Sequence, residues 1–161
     1  AAVGVHPHDT GTMTEEILSA IGDLARQDKV KAIGEIGLDF HYDNSPRDVQ
    51  EYWFRHQIRL ANELSMPIVI HSREADQKTM DILKEEGAFS QERIDKFPKR
   101  KVLSDDGSVT EENDARVLLH CFSGSSELGR QYIRLGATLS VAGPVTYKNN
   151  RKTVEGYTTS Q

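Results

Sequence analysis

The sequence predicts an α/β fold with a parallel sheet, of the (β/α)8 barrel type, represented by about five consecutive βα units. Short apolar segments alternate with longer segments of helical periodicity, which is typical of parallel sheets. Most of the apolar segments lead into a histidine or a glutamate, as barrels do at the C-terminal ends of their strands. These residues are His6, Glu35, His71 and His120. The competing architecture is an open doubly wound sheet, but no glycine-rich phosphate loop follows the first strand.

The predicted strands are the short apolar runs, and the predicted helices follow them in order. The strands cover residues 1–5, 31–36, 67–70, 116–119 and 137–142, and the helices cover residues 14–27, 45–64, 73–86 and 126–135. Thr14 is the expected N-cap of the first helix, and Ser45 with Pro46 has the N-cap and first-turn pattern of the second. Gly87 and Gly136 are expected to end the third and fourth helices.

Residues 88–115 interrupt this alternation. The segment is rich in Lys, Asp, Glu and Ser and contains an Asp-Asp-Gly turn signal at 105–107. We therefore predict a polar insertion that protrudes away from the site. The tail at 156–161 has no periodicity and is atypical of the fold. The whole chain, residues 1–161, is predicted to be a single domain that forms part of a barrel.

The composition is that of an ordinary globular domain, with 37% hydrophobic and 28% charged residues. A formal net charge of −5 argues against a broad basic surface for gripping nucleic acid. Cys121 is the single cysteine, which excludes an internal disulfide and favours a cytoplasmic location. No apolar stretch is long enough to cross a bilayer, so no membrane partner is expected. Because the sequence starts at Ala1 inside an apparent strand, we expect an upstream segment to be missing.

Glu35, His71 and His120 form the strongest functional pattern in the sequence. Each lies at or just after the end of a short apolar strand, and parallel strands place such ends on one rim. One carboxylate and two imidazoles are natural ligands for a divalent metal ion, and a carboxylate can also bridge two ions. A metal ion there would activate a water for hydrolysis. A single histidine at a strand end is more often structural, but three such residues at three strand ends indicate a metal site.

Four motifs resemble those of the TatD-type metal-dependent DNases, in the same order and at similar spacings. They are Gly-Val-His-Pro-His at 4–8, Gly-Glu-Ile-Gly-Leu-Asp-Phe at 34–40, Val-Ile-His-Ser-Arg at 69–73 and Leu-His-Cys-Phe-Ser-Gly at 119–124. The resemblance implies a (β/α)8 barrel that hydrolyses phosphodiester bonds of DNA with two divalent ions, either Mg, Mn or Zn. It makes Glu35 the bridging carboxylate and His71 and His120 metal ligands.

The sequence departs from the family pattern at both ends. The family opens with a His-x-His ligand pair before the first motif and carries a metal-binding Asp on its last strand, and neither lies in this chain. His6-Pro7-His8 has the spacing of the pair, but its place matches the family's later strand end. No catalytic residue is therefore assigned with certainty. The chain is expected to lack the first strands and the last strand of the barrel, and to be inactive or nearly so by itself.

Four further residues are candidates for substrate binding or for supporting the ligands. His6 is expected to line the site behind the ligands. Arg73 would contact a substrate phosphate or pair with an acid, and Asp39 would orient a ligand or cap a turn. Ser123 would bind phosphate or begin the next helix. The ligand types alone leave open a barrel hydrolase of another bond, such as an amide, lactone or phosphotriester, and a non-catalytic truncated barrel fragment.

Overall fold

The computed structural model describes residues 1–104 and 106–142. Its main sheet has five strands in the order β1-β2-β3-β6-β7, and a second sheet pairs β4 with β5. The strands are β1 (Ala2–Val3), β2 (Ala32–Asp39), β3 (Ile68–Arg73), β4 (Arg100–Leu103), β5 (Val109–Glu112), β6 (Val117–Leu119) and β7 (Thr138–Leu139).

Helices connect successive strands of the main sheet. They are a 3-10 helix (Pro7–Thr12), α1 (Glu15–Ala25), α2 (Arg47–Glu63), α3 (Asp76–Glu85), α4 (Gln91–Ile94) and α5 (Ser126–Arg134). Thr14 caps α1 as predicted, because its hydroxyl accepts a hydrogen bond from the backbone N–H of Ile17 at 3.3 Å. Across residues 1–104 and 106–142, no helix combines the length and the apolar character that crossing a membrane would need.

All neighbouring strands of the main sheet are parallel, and their spatial order follows the chain order. The predicted parallel α/β arrangement is thus confirmed. A doubly wound sheet reverses its strand order at a switch point, and no reversal occurs among the described strands. The order is that of consecutive strands in a barrel wall.

The core lies between the main sheet and the helices that cover it. Ile33, Ile68 and Ile70 of the sheet are fully buried, and so are Phe54 and Ile58 of α2. Because the strands are apolar on both faces, helices must cover the sheet to remove this surface from water.

β2 and β3 extend further than the sequence predicts. The strand predicted at 31–36 continues to Asp39, because parallel pairing joins Gly37 to His71 and Asp39 to Arg73. The helix predicted from residue 73 begins only at Asp76. Arg73 still belongs to β3, and Glu74 then adopts a left-handed backbone with φ of 52°, which ends the strand.

The first and last strands of the main sheet are shorter than predicted. The strand predicted at 1–5 covers only Ala2–Val3, because the chain turns into a 3-10 helix with Pro7 in its first turn. The strand predicted at 137–142 covers only Thr138–Leu139. The tail predicted at 156–161 lies outside the described residues.

The 88–115 segment has an anchored first half. The Arg93 side chain is 2% exposed, and its guanidinium donates to the carbonyls of Ala115 and Met66 at 3.0 and 2.8 Å and to Oδ1 of Asn62 at 2.9 Å. Burial lowers the pKa of Arg93 to about 10. The guanidinium thus satisfies oxygens that would otherwise lack donors at the N-terminal ends of β3 and β6.

The second half of the segment is the exposed hairpin of β4 and β5. Every residue of β5 is exposed, and Leu103 of β4 is 72% exposed. Arg100 ties the hairpin to the domain by donating to the carbonyl of Ala137 at 3.0 Å. Ala137 immediately precedes β7, so the hairpin is attached at the N-terminal end of the strands.

Replacing Arg93 with alanine is expected to lower the free energy of unfolding by about 3 kcal/mol, because several buried oxygens would lose their donor. Lys101→Ala, in the exposed hairpin, should change it by less than about 0.5 kcal/mol. Urea denaturation of the two variants measures the difference. Equal effects would show that the insertion is not anchored through Arg93.

Candidate metal centre

The structure brings Glu35, His71 and His120 together at the C-terminal side of the main sheet. Oε1 of Glu35 lies 2.8 Å from Nδ1 of His120 and 3.7 Å from Nδ1 of His71. The side chain of Glu35 is 28% exposed, that of His71 22% and that of His120 46%, so the cluster is open to a ligand from solvent. The carboxylate of Glu35 therefore lies between the imidazole of His71, on β3, and that of His120, directly after β6.

An irregularity in β2 places Glu35 in this position. Glu35 lies within β2 rather than at its end because the strand extends to Asp39, and the pairing register of β2 with β3 shifts between Ile33 and Ile36. Such an irregularity redirects a side chain and is frequent next to functional sites. Gly37 then allows the two strands to approach closely, because its φ is 142° and a Cβ there would overlap the carbonyl oxygen of His71.

Asp39 is a buried carboxylate that joins two histidines. It is 1% exposed, and Oδ2 lies 2.9 Å from Nε2 of His8 and 2.9 Å from Nε2 of His71. Oδ1 accepts the backbone N–H groups of His41 and Tyr42 at 3.1 and 2.9 Å. All four hydrogen bonds favour the ionised carboxylate.

The charge on Asp39 determines which nitrogen of His71 is free. Burial acts to raise the pKa of Asp39, but the hydrogen bonds from Tyr42, His8 and His71 outweigh it and hold the pKa well below its usual range. Ionised Asp39 only accepts, so His71 donates from Nε2. Nδ1 of His71 faces Glu35 and is the ring nitrogen left for a metal ion.

His6 lies closer to the candidate ligands than the sequence predicts. Potential ligand atoms of His6, Glu35 and His71 all lie within 4.8 Å of one another. Burial, followed by the neighbouring charges of His71 and His8, lowers the pKa of His6 and favours its neutral form. Nδ1 of His6 accepts the backbone N–H of His8 at 3.2 Å, so the neutral ring carries its proton on Nε2. In this tautomer Nε2–H of His6 is a hydrogen-bond donor.

A second group of potential ligands, His8, Asp39 and His71, lies beside the first. Its carboxylate is already saturated by the four hydrogen bonds described above, so this group is suited to orienting His71. The first group has the donor set that a borderline divalent ion prefers, namely one carboxylate and imidazole nitrogens. His120 is in neither group, and it joins the cluster through its hydrogen bond to Glu35.

Arg73 and Ser123, the remaining candidates from the sequence, have different surroundings. Arg73 is exposed, and its guanidinium carbon lies 4.9 Å from the centre of the Tyr42 ring. Ser123 lines a small cavity together with His120. The N-cap of α5 is Ser125, whose hydroxyl accepts from the Leu128 backbone at 3.2 Å, so Ser123 does not cap the helix.

The sequence did not predict the part played by His8 or the contact made by Cys121. The hydrogen bond between His8 and Asp39 joins residues that are 31 positions apart. The thiol of Cys121 lies 3.5 Å from Nε2 of His120. The His-x-His spacing at 6–8 was the only local signal for the first contact, and no local signal existed for the second.

The profile of the family described as TatD related DNase matches residues 1–159. The chain belongs to this family. It is 43% identical, over 155 residues, to the "uncharacterized metal-dependent hydrolase YabD" of Bacillus subtilis, covering 96% of this chain and 51% of that protein. It is 34% identical to the "3'-5' ssDNA/RNA exonuclease TatD" of Escherichia coli K12, covering 89% and 46%.

The structural comparison agrees with the sequence comparison. The crystal structure of the TatD homologue YJJV from Escherichia coli K12 superposes with a TM-score of 0.74 at 27% identity, over 97% of this chain and 51% of that one. The chain thus spans about half the length of the TatD-family relatives it matches. Membership of this family confirms the predicted family resemblance, and the described residues include groups that could hold a metal ion.

Asp39→Asn is expected to weaken Mn²⁺ binding by about 10–100-fold, which is typical of losing a partner that orients a metal-binding histidine. The asparagine oxygen can still accept hydrogen bonds from the backbone N–H groups, but its NH₂ group cannot accept one from Nε2–H of His71. Isothermal titration calorimetry measures the affinity. Asp43→Asn, in the same loop but paired with Arg47, is the matched control and should leave the affinity unchanged. Equal affinities in both variants would remove Asp39 from the metal centre.

Proposed function

We propose that this protein is a divalent-metal-dependent hydrolase that cleaves phosphodiester bonds of DNA. The observation that carries the proposal is the position of Glu35 between His71 and His120, on strands arranged as in TatD-family proteins. Relatives that bear the name 3'-5' ssDNA/RNA exonuclease support a nucleic-acid substrate. The names of these relatives favour a single-stranded substrate that is hydrolysed from its 3′ end.

Glu35, His71 and His120 would hold the metal, as the sequence pattern predicts. Glu35 has two carboxylate oxygens and a neighbour on each side, which suits a residue shared between two ions, such as Mg, Mn or Zn. A divalent ion supplies a Lewis acid and lowers the pKa of a bound water to about 7. Asp39 keeps His71 in the tautomer and orientation that this task needs.

His6 would act on the substrate. Neutral His6 carries its proton on Nε2 and lies beside Glu35 and His71, so it can donate a hydrogen bond to a phosphate oxygen held there. The protein's net charge of −5 means that its surface does not attract DNA as a whole. Affinity for phosphate must therefore come from the site itself.

We infer that the five strands of the main sheet are consecutive strands of a (β/α)8 barrel. Their parallel order in space follows the chain, and the helices lie between them in sequence. Catalytic groups of such barrels gather at the C-terminal ends of the strands, which is where the cluster lies. A cytoplasmic location, expected from the single cysteine, stays a prediction.

A second candidate is a hydrolase of the same mechanism acting on another bond, such as an amide or a lactone. The observation in its favour is that the 43% identical relative is named only as a metal-dependent hydrolase. The ligand set is compatible with both, so the substrate must be tested directly. Release of nucleotides from DNA favours a DNA hydrolase. Turnover of lactones or amides without release of nucleotides favours the second candidate.

Glu35→Gln is expected to reduce metal-dependent DNA hydrolysis by more than about 100-fold, beyond the loss typical of a supporting partner, because the shared ligand loses its charge. Digestion of end-labelled single-stranded DNA with Mg²⁺ or Mn²⁺, and with chelator as a blank, measures the rate. Thermal unfolding should be nearly unchanged, since Glu35 is partly exposed.

Glu63→Gln is the matched control, because Glu63 is exposed at the end of α2 on the opposite side of the domain. It should retain the full rate. A Glu35→Gln variant that folds and cleaves at the unchanged rate would exclude Glu35 from the metal centre. Absence of hydrolysis in the unsubstituted protein would support a non-catalytic role.

A further inference from the structure

An exposed aromatic ring stands one side chain away from the metal centre. Tyr42 is 55% exposed, and its ring contacts the ring of His8 edge to face at 5.6 Å between centroids. His8 in turn lies 6.0 Å from His71, measured in the same way. One imidazole therefore separates the ring of Tyr42 from that of His71, which places an exposed aromatic ring beside the metal centre.

The position of Tyr42 is fixed by the same carboxylate that orients His71. The backbone N–H of Tyr42 donates to Oδ1 of Asp39 at 2.9 Å. The neighbouring His41 is held in turn by Glu74, with Nδ1 2.7 Å from Oε1. The ring is therefore attached to a braced loop, although its side chain is open to solvent.

Arg73 completes the surface beside Tyr42. Its guanidinium lies over the Tyr42 ring at 4.9 Å, and among the described residues no carboxylate is within ion-pair distance of it. Its neighbours differ in this respect, because Arg47 is paired with Asp43 and His41 with Glu74. An exposed cation without an acidic partner, stacked on an aromatic ring, is suited to a phosphate and to the face of a base.

We propose that Tyr42 and Arg73 form the subsite for an unpaired nucleotide next to the phosphate held at the metal centre. Tyr42 stacks on the base, and Arg73 contacts the adjoining phosphate. A base within a duplex is covered on both faces by its neighbours, so this subsite selects a single strand or a frayed end. The proposal rests on the proposed function, and it names the residues that would read the single-stranded character of the substrate.

The test compares two single-stranded DNA probes with the protein in Mn²⁺. One probe ends in 2-aminopurine at its 3′ end, and the other ends in an abasic residue; both carry a phosphorothioate at the last linkage to slow cleavage. We expect the unsubstituted protein to bind the first about tenfold more tightly, a difference within the range of one stacked base. We also expect 2-aminopurine fluorescence to be quenched on binding.

Tyr42→Ala should remove both the preference and the quenching, and Tyr42→Phe should keep both, because the ring and not the hydroxyl is used. Tyr52→Ala is the matched control, since Tyr52 is also exposed, at 47%, but lies on α2. If Tyr42→Ala keeps the tenfold preference, or if Tyr52→Ala loses it as well, the subsite is wrong.

Arg73→Ala should weaken both probes equally and reduce the slope of log affinity against log salt by about one. Arg134→Ala, which removes an exposed arginine at the C-terminal end of α5, should change neither. An unchanged salt slope in Arg73→Ala would exclude Arg73 from the subsite. If the unsubstituted protein neither binds nor cleaves any oligonucleotide, the proposed function fails and the subsite fails with it. Binding that is insensitive to Tyr42 and Arg73 overturns the subsite alone.

Discussion

The buried charge of Asp39 is the constraint on which the site depends. An ionised carboxylate that is 1% exposed is tolerated only when hydrogen bonds replace its lost water, and here four donors do so. The donors come from the 3-10 helix, from β3 and from the loop after β2. Gln50 of α2 also bonds both backbone groups of Asp39, at 2.8 and 3.2 Å. Satisfying one charge therefore fixes three segments relative to one another, and Gln50 adds α2 through the backbone of Asp39.

This arrangement also sets the electrostatic character of the site. Two carboxylates, Asp39 and Glu35, lie on either side of His71, and His6 is driven towards its neutral form. Glu35 contributes a negative charge beside these imidazoles, and this combination of donors favours a divalent cation in the cluster. The cation would in turn attract phosphate to a protein whose net charge is −5. The negative charge of the protein and an anionic substrate are thus compatible.

Much of the fold could be predicted from the sequence, because alternation of apolar runs and helical periodicity is a local property. The ligand types could be predicted for the same reason, since Glu35, His71 and His120 each follow an apolar run. The placement of Glu35 inside β2 could not, because pairing with β3 extends the strand to Asp39. The contacts of Asp39 with His8 and His71 could not either, because they join residues 31 and 32 positions apart. Periodicity carries no signal for such pairs.

The polar insertion at 88–115 is attached to the domain at the end of the sheet opposite the candidate site. Arg93 and Arg100 attach residues 88–115 to carbonyls that precede β3, β6 and β7, at the N-terminal ends of the strands. The candidate ligands lie at the other end, where barrels place their catalytic groups. Changes in the length or charge of the hairpin therefore act near the attachment of Arg100 to Ala137, at the end of the strands away from Glu35. The contacts that hold the insertion and the residues of the candidate site therefore lie at opposite ends of the strands. The sequence can vary at the first end while the four hydrogen bonds around Asp39 stay in place at the other.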